Sequence, residues 1–127
     1  MEKNKISIVV PCFNEKEALP LFYNKITQVF NQMRQESETA ELSYELIIVD
    51  DGSMDGTLDV AKELSANDSG VKYISFSRNF GKEAAMYAGL QHAAGEYVAI
   101  MDADLQDPPE MLSKMYQVLT KEGYDAV

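Results

Sequence analysis

The sequence predicts an α/β domain: a doubly wound, mostly parallel sheet with helices on both faces. Three observations predict it. Short β-branched runs alternate along the chain with stretches of helical periodicity, the pattern of a parallel sheet with crossover helices. The first run is nearly continuous in apolar residues, as in a strand buried on both faces, while the third, VKYISF, alternates enough to suggest one partly polar face. A polar cluster follows each run, at 11–15, 50–57, 77–82 and 102–107. That places all of them at the carboxyl ends of the strands, where such sheets bind ligands. Strand-to-helix loops are polar in any case, but polarity alone does not require this density of aspartate.

The first strand is 6–10 (ISIVV), stopped by Pro11. The first helix spans 20–35, with Leu21, Tyr23, Ile26, Val29, Phe30 and Met33 at helical spacing and Pro20 suited to its first turn. A polar, acidic loop follows at 36–43, then a second strand at 44–49 (YELIIV) that ends in the turn Asp50-Asp51-Gly52-Ser53. Asp55 is placed to cap a short helix at 57–65. The third strand is 71–76 (VKYISF), and an Ala-rich helix covers 82–94, stopped by Gly95. The fourth strand is 96–101 (EYVAIM). Asp107 and Pro108 then read as the N-cap and first residue of a helix running to about Lys121, ended by Gly123. Residues 125–127 open a fifth strand.

A chain of 127 residues suits one compact domain, and 46% hydrophobic with 25% charged residues excludes disorder as an overall description. Eleven Lys and Arg against 21 Asp and Glu give a net charge of −10. Counterion release needs clustered cations, so no nucleic-acid partner is expected. The acidity suits a metal site or plain solubility. The single cysteine, Cys12, excludes an internal disulfide and a Cys-rich zinc site, and it fits a reducing compartment. No secretory h-region follows the charged start MEKNK, and no apolar run approaches the roughly 20 residues of a membrane span, so a soluble chain is expected.

The strongest constellation is Asp102-Ala103-Asp104-Leu105-Gln106. In an extended segment, residues two apart share a side. Asp102, Asp104 and Gln106 then face one way, with Ala103 and Leu105 packed behind. Two carboxylates and an amide oxygen are hard ligands suited to Mg²⁺ or Mn²⁺, and Mg²⁺ is commonly held by one or two carboxylates plus substrate phosphates. A diphosphate ligand is thereby implied. Capping of the next helix does not explain the pair, because Asp107 already fills that role.

The segment 50–57 (DDGSMDGT) imitates a calcium loop from Asp51 onward, but its twelfth position is Lys62 rather than a bidentate Glu and its flanking element is a strand, which excludes calcium. Two readings remain: a tight turn only, or a turn whose acidic side chain accepts hydrogen bonds from a base or ribose. Phe13 is placed to stack on a base and Glu15 to cap the first helix. The loop Arg78-Asn79-Phe80-Gly81-Lys82 supplies cations, and Lys82 sits at a helix N-terminus that favours anions; solvated charge is the competing reading. Neither a Walker pattern nor Gly-x-Gly-x-x-Gly is present, which disfavours ATPases and nicotinamide dehydrogenases. His92, late in a helix, reads as structural, and no Ser–His or Cys–His pair is evident.

Four segments together resemble a known family: 6–15 (ISIVVPCFNE), 47–57 (IIVDDGSMDGT), 77–89 (SRNFGKEAAMYAG) and 95–109 (GEYVAIMDADLQDPP). They are similar to the motifs of family 2 glycosyltransferases with the GT-A fold, in the polyprenyl-phosphate branch of bactoprenol glucosyltransferases and dolichol-phosphate mannose synthases. The resemblance implies that Pro11, Phe13 and Glu15 line the nucleotide pocket, that Asp51 hydrogen-bonds the base with Asp50 beside it, and that Lys82 lies near the diphosphate. It implies that Asp102 and Asp104 form the Asp-x-Asp motif, with Asp102 also at the nucleotide, Asp104 catalytic, and Gln106 an additional metal ligand. The implied reaction moves a sugar, with inversion, from a nucleotide-sugar donor (UDP-linked favoured, GDP-mannose the alternative) to a polyprenyl-phosphate acceptor, using Mg²⁺ or Mn²⁺.

Complete catalytic domains of this family are much longer, so residues 1–127 are expected to be the nucleotide-sugar half of one, truncated at the C-terminus and inactive alone. A cytoplasmic setting is implied, with the whole enzyme at the cytoplasmic face of the membrane. The uncovered sheet edge predicts either self-association into a homo-oligomer or disorder near residues 125–127. Two other classes compete. A sugar-nucleotide pyrophosphorylase usually carries a Gly-rich, basic loop after the first strand, which 11–15 lacks. A receiver-like binding module explains acidic strand ends but not Asp102-x-Asp104-x-Gln106.

Overall fold

A computed structural model of the chain describes residues 2–35 and 42–104. Its elements alternate throughout: β1 (Glu2–Cys12), α1 (Ala18–Gln35), β2 (Ser43–Asp50), α2 (Thr57–Asn67), β3 (Val71–Ser75), α3 (Lys82–His92) and β4 (Gly95–Ile100). Gln106, the Asp107–Pro108 helix start, the helix expected to Lys121 and the strand expected at 125–127 lie outside the described residues. Among the described residues no helix is long and apolar enough to cross a membrane.

The strands form one sheet in the order β3-β2-β1-β4, and every neighbouring pair is parallel. The chain winds outward from β1 to β3, then returns to place β4 on the other side of β1. The order therefore reverses between β1 and β4, the position where open parallel sheets leave a crevice beyond their carboxyl ends.

The two faces of the sheet bury alternate residues, as the period of a strand dictates. Ile6, Ile8, Val10 and Cys12 of β1 join Leu46 and Ile48 beneath Leu19, Phe22, Ile26, Phe30 and Met33 of α1, with Ala61 of α2 on the same side. Val9, Ile47 and Val49 face the opposite way, toward Ala85 of α3. Among the described residues the central strands β1 and β2 are thus covered on both faces, while the edge strands β3 and β4 keep exposed side chains such as Tyr73 and Val98. Gly89 lets α3 lie close: a Cβ there would stand 2.2 Å from Val9 Cγ1.

Three sequence expectations are corrected. Leu21 does not join the core but is 62% exposed, and Leu19 and Phe22 take the buried stripe instead. The first strand does not stop at Pro11 but continues to Cys12. The Val9 carbonyl accepts Met101 N–H toward β4, whereas the Cys12 carbonyl accepts Asp51 N–H toward the β2 side. Pro11 alternates with Val9, so its missing donor faces the side where β4 has ended. Gly95 does not stop α3, which ends at His92, but opens β4. A Cβ on Gly95 would fall 2.8 Å from both Lys5 O and Ser7 N.

A buried glutamate ties the amino-terminal side of the sheet together. Glu45 of β2 is 1% exposed. It accepts hydrogen bonds from Ser7 Oγ of β1 (2.7 Å), from Lys72 Nζ of β3 and from the Ala94 amide (2.9 Å). Gly95 N–H of β4 donates in turn to Ser7 Oγ at 2.8 Å. All four strands meet in this one polar cluster.

Candidate functional site

At the strand-order reversal lies a cleft of about 230 Å³, lined by Pro11, Cys12, Phe13, Glu15, Asp51, Lys82 and the segment 102–104. Pro11, Phe13, Glu15, Asp51, Lys82, Asp102 and Asp104, singled out from separate stretches of sequence, line this one space. The geometry adds Cys12, to which the sequence gave no site role, and Ala103, which it placed behind the aspartates.

The wall on the β4 side is the segment after Ile100. Met101 and Ala103 are buried while Asp102 is half-buried and Asp104 exposed. Burial therefore alternates as far as Asp104, but 103–104 is a turn rather than the extended segment expected, and Ala103 lines the cleft together with the two aspartates. Lys82, the first residue of α3, places its Nζ 2.9 Å from Asp102 Oδ1. The ammonium that the sequence assigned to a diphosphate is held against a carboxylate assigned to a metal.

On the β1 side, Phe13 is 46% exposed and is among the residues that line the cleft. Glu15 begins the connection into α1, but it caps with its backbone: its carbonyl accepts Leu19 N–H at 2.9 Å. Its carboxyl is pushed above the ordinary range, first by burial, then by the charges of Asp104, Asp102 and Asp55. Four carboxylates, those of Glu15, Asp51, Asp102 and Asp104, thus line one small space. Burial likewise pushes the Cys12 thiol far up, with Glu15, Asp50 and Asp102 adding to it, so this cysteine is inert as a nucleophile.

Asp51 forms the floor and joins two loops. It is 4% exposed, and its carboxylate accepts the Phe80 amide at 2.7 Å and the Gly81 amide at 3.0 Å. Each carboxylate oxygen has two acceptor directions, so these bonds leave capacity for a ligand donor. Gly52, at φ 74°, lets the β2–α2 turn meet the next loop: a Cβ there would lie 2.3 Å from the Arg78 carbonyl carbon. Asp50 is not among the cleft-lining residues. It is buried, and its carboxylate accepts Ser53 N–H at 3.2 Å, so its position suits the turn rather than direct nucleotide contact. Arg78 stacks on Phe80, 4.7 Å from the ring centroid, and is also not among the lining residues. His92 is exposed on the last turn of α3, with Nδ1 2.9 Å from Ala88 O.

Among the described residues, no three His, Cys, Asp or Glu side chains stand close enough to enclose a metal ion. The donor chemistry nevertheless fits a partial site. Asp102 and Asp104 offer hard oxygens beside an acidic neighbour, and Mg²⁺ usually completes its shell with water and substrate phosphates. A divalent cation would also relieve the carboxylate crowding around Glu15.

Comparison with known proteins identifies the family. The profile described as Glycosyl transferase family 2 matches residues 7–127. The putative glycosyltransferase CsbB of Bacillus subtilis (strain 168) is 44% identical over 127 residues, covering 100% of this chain and 36% of that protein. The bactoprenol glucosyl transferase of Shigella phage SfV is 42% identical over 113 residues, covering 89% of this chain and 34% of its own length. The undecaprenyl-phosphate 4-deoxy-4-formamido-L-arabinose transferase of Proteus mirabilis (strain HI4320) is 39% identical over 125 residues, covering 98% of this chain and 36% of that protein. Among solved structures, S. aureus TarS 1-349 in complex with UDP superposes with a TM-score of 0.61 at 26% identity, covering 94% of this chain and 33% of that one. The chain spans about a third of the length of the relatives it matches. With the profile matching almost from end to end, the chain belongs to glycosyl transferase family 2.

Proposed function

We propose that the cleft binds the nucleotide-diphosphate part of a UDP-sugar, and that the whole protein transfers the sugar to a polyprenyl phosphate with inversion at the anomeric carbon. The observation that carries this reading is the convergence, at the reversal of strand order, of an aromatic ring, an ammonium and a group of carboxylates from separate loops. The lipid acceptor rests on the names of two relatives, which specify bactoprenol and undecaprenyl phosphate. The uridine donor rests on the UDP held by TarS.

In this reading the ring of Phe13 stacks on the base and the carboxylate of Asp51 accepts from the base edge. Pro11 and Glu15 complete the nucleotide wall. Lys82 turns its ammonium from Asp102 to the diphosphate. Asp102 and Asp104, with Gln106 as a further oxygen donor, would hold Mg²⁺ or Mn²⁺, which supplies neutralisation of the charge on the departing diphosphate. In the transfer, the bond from the anomeric carbon to the β-phosphate oxygen breaks. A bond from that carbon to an acceptor phosphate oxygen forms on the opposite side, and UDP leaves.

Calorimetry of this chain with UDP and with GDP, each with and without Mn²⁺, tests the reading. UDP binding that depends on Mn²⁺ is expected. Equal UDP affinity in the absence of metal would remove the metal assignment, and tighter binding of GDP would replace the donor base.

A further inference from the structure

Three successive backbone amides in the β1–α1 loop donate to three side chains of the β2–α2 loop. Asn14 N–H reaches Ser53 Oγ at 2.8 Å, Glu15 N–H reaches Thr57 Oγ1 at 2.9 Å and Lys16 N–H reaches Asp55 Oδ2 at 3.2 Å. A fourth bond runs the other way, from Met54 N–H to Asn14 Oδ1 at 2.9 Å. Asn14 holds φ 54°, a left-handed conformation that asparagine tolerates better than most residues. Its side chain and backbone thus pair with adjacent residues of the opposite loop.

Within the clasp the acceptors are themselves oriented. The Thr57 hydroxyl donates to Asp55 Oδ1, which also accepts the Thr57 amide at 3.0 Å. Having given its proton to Asp55, the Thr57 oxygen turns a lone pair to Glu15 N–H. Thr57 is fully buried, so no water can take its place without rearrangement. The clasped stretch is also the one that brings Phe13 and Glu15 to the cleft wall. An unclasped loop would have to be ordered when ligand binds, and affinity falls by the fraction of molecules in the competent state.

We propose that Asn14, Ser53, Asp55 and Thr57 are positioning residues for the donor site: their clasp between the first two strand-to-helix loops fixes Phe13 and Glu15 against the nucleotide. The role rests on the nucleotide reading of the cleft but involves none of the groups assigned to touch the ligand. Asp51 welds the same β2–α2 loop to the β3–α3 loop, so loop 50–57 is the hub that sets both neighbouring loops.

The test combines residue-resolved amide exchange with UDP calorimetry in Mn²⁺, on the wild-type chain and on Ser53→Ala, Thr57→Val and Thr57→Ser. In the wild type, amides 14–16 are expected to be protected. Ser53→Ala and Thr57→Val are expected to lose protection within 13–17 alone and to bind UDP more weakly, about tenfold for Thr57→Val, whose bond is partly buried, and less for Ser53→Ala, whose bond to Asn14 is exposed. Thr57→Ser keeps the hydroxyl and is expected to retain both protection and affinity. Lost protection with unchanged UDP affinity would overturn the positioning role while leaving the nucleotide reading intact. Lost protection across the whole sheet would make the clasp a folding element instead. A wild-type chain that binds neither UDP nor GDP would overturn the nucleotide reading and this role with it.

Discussion

Asp104 and Asp51 face the same cleft, yet their surroundings predict different losses. Asp104 is exposed at the rim and lies beyond β4, so Asp104→Ala leaves the core untouched. We expect an unchanged melting temperature and loss of the Mn²⁺-dependent part of UDP binding; equal affinity for variant and wild type would sink the ligand role. Asp51 is buried and is the acceptor for the Phe80 and Gly81 amides. Its replacement by Ala strips acceptors from two amides, at a cost of about 2 kcal/mol. Asp51→Ala is therefore expected to lower the melting temperature and to weaken UDP with or without metal. A variant with wild-type stability and weakened UDP would mean that ligand, not loop, depends on this carboxylate. The sequence showed that both aspartates sit at strand ends. It did not show that Asp51 serves the loop at 80–81, because that contact joins residues about thirty apart whose proximity only the order of strands determines.

At the scale of elements, the strands and most helices were legible because local pattern decides them. Apolar runs marked β1, β2 and β4, an alternating run marked β3, and Gly, Pro and Asp marked the turns. What failed locally failed where two patterns overlap or where one element meets another. Leu19, Leu21, Phe22 and Tyr23 offer two apolar stripes on one helix, and only the sheet beneath α1 selects Leu19 and Phe22. Gly95 reads as a helix stop but exists because β4 meets β1 without room for a Cβ. Gly89 shows the same logic and gives a test. In isolation, Gly→Ala inside a helix gains about 1 kcal/mol. Here the added carbon would sit 2.2 Å from Val9 Cγ1, and overpacking of this kind costs about 1–3 kcal/mol. The clash outweighs the gain in helix propensity, so Gly89→Ala is expected to lower the melting temperature. A rise would show that α3 shifts off the sheet at little cost.

Across the whole molecule, the two ends of the sheet handle carboxylates in opposite ways. At the carboxyl ends of the strands, burial and then the charges of Asp104, Asp102 and Asp55 push the Glu15 carboxyl up beside an open cleft. At the other end, Glu45 is enclosed and supplied with donors. Burial pushes its carboxyl up, but the hydrogen bonds from Lys72, Ser7 and Ala94 and the charge of Lys72 outweigh that and hold it below the ordinary range. A carboxyl whose pKa is lower in the folded state stabilises the fold above its unfolded value and loses that contribution as pH falls through the folded one. The window therefore opens near pH 4, about where an unfolded Glu titrates, and extends downward. Glu45→Gln preserves the size of the side chain but cannot ionise. It is expected to be less stable than wild type at pH 7, because Lys72 loses its charged partner. Its melting temperature is also expected to fall less steeply than that of wild type between pH 5 and pH 3. Melting curves of the two proteins across that range decide the matter. Parallel pH profiles would show that the loss of stability in acid comes from other carboxylates and that Glu45 joins the four strands by geometry rather than by charge.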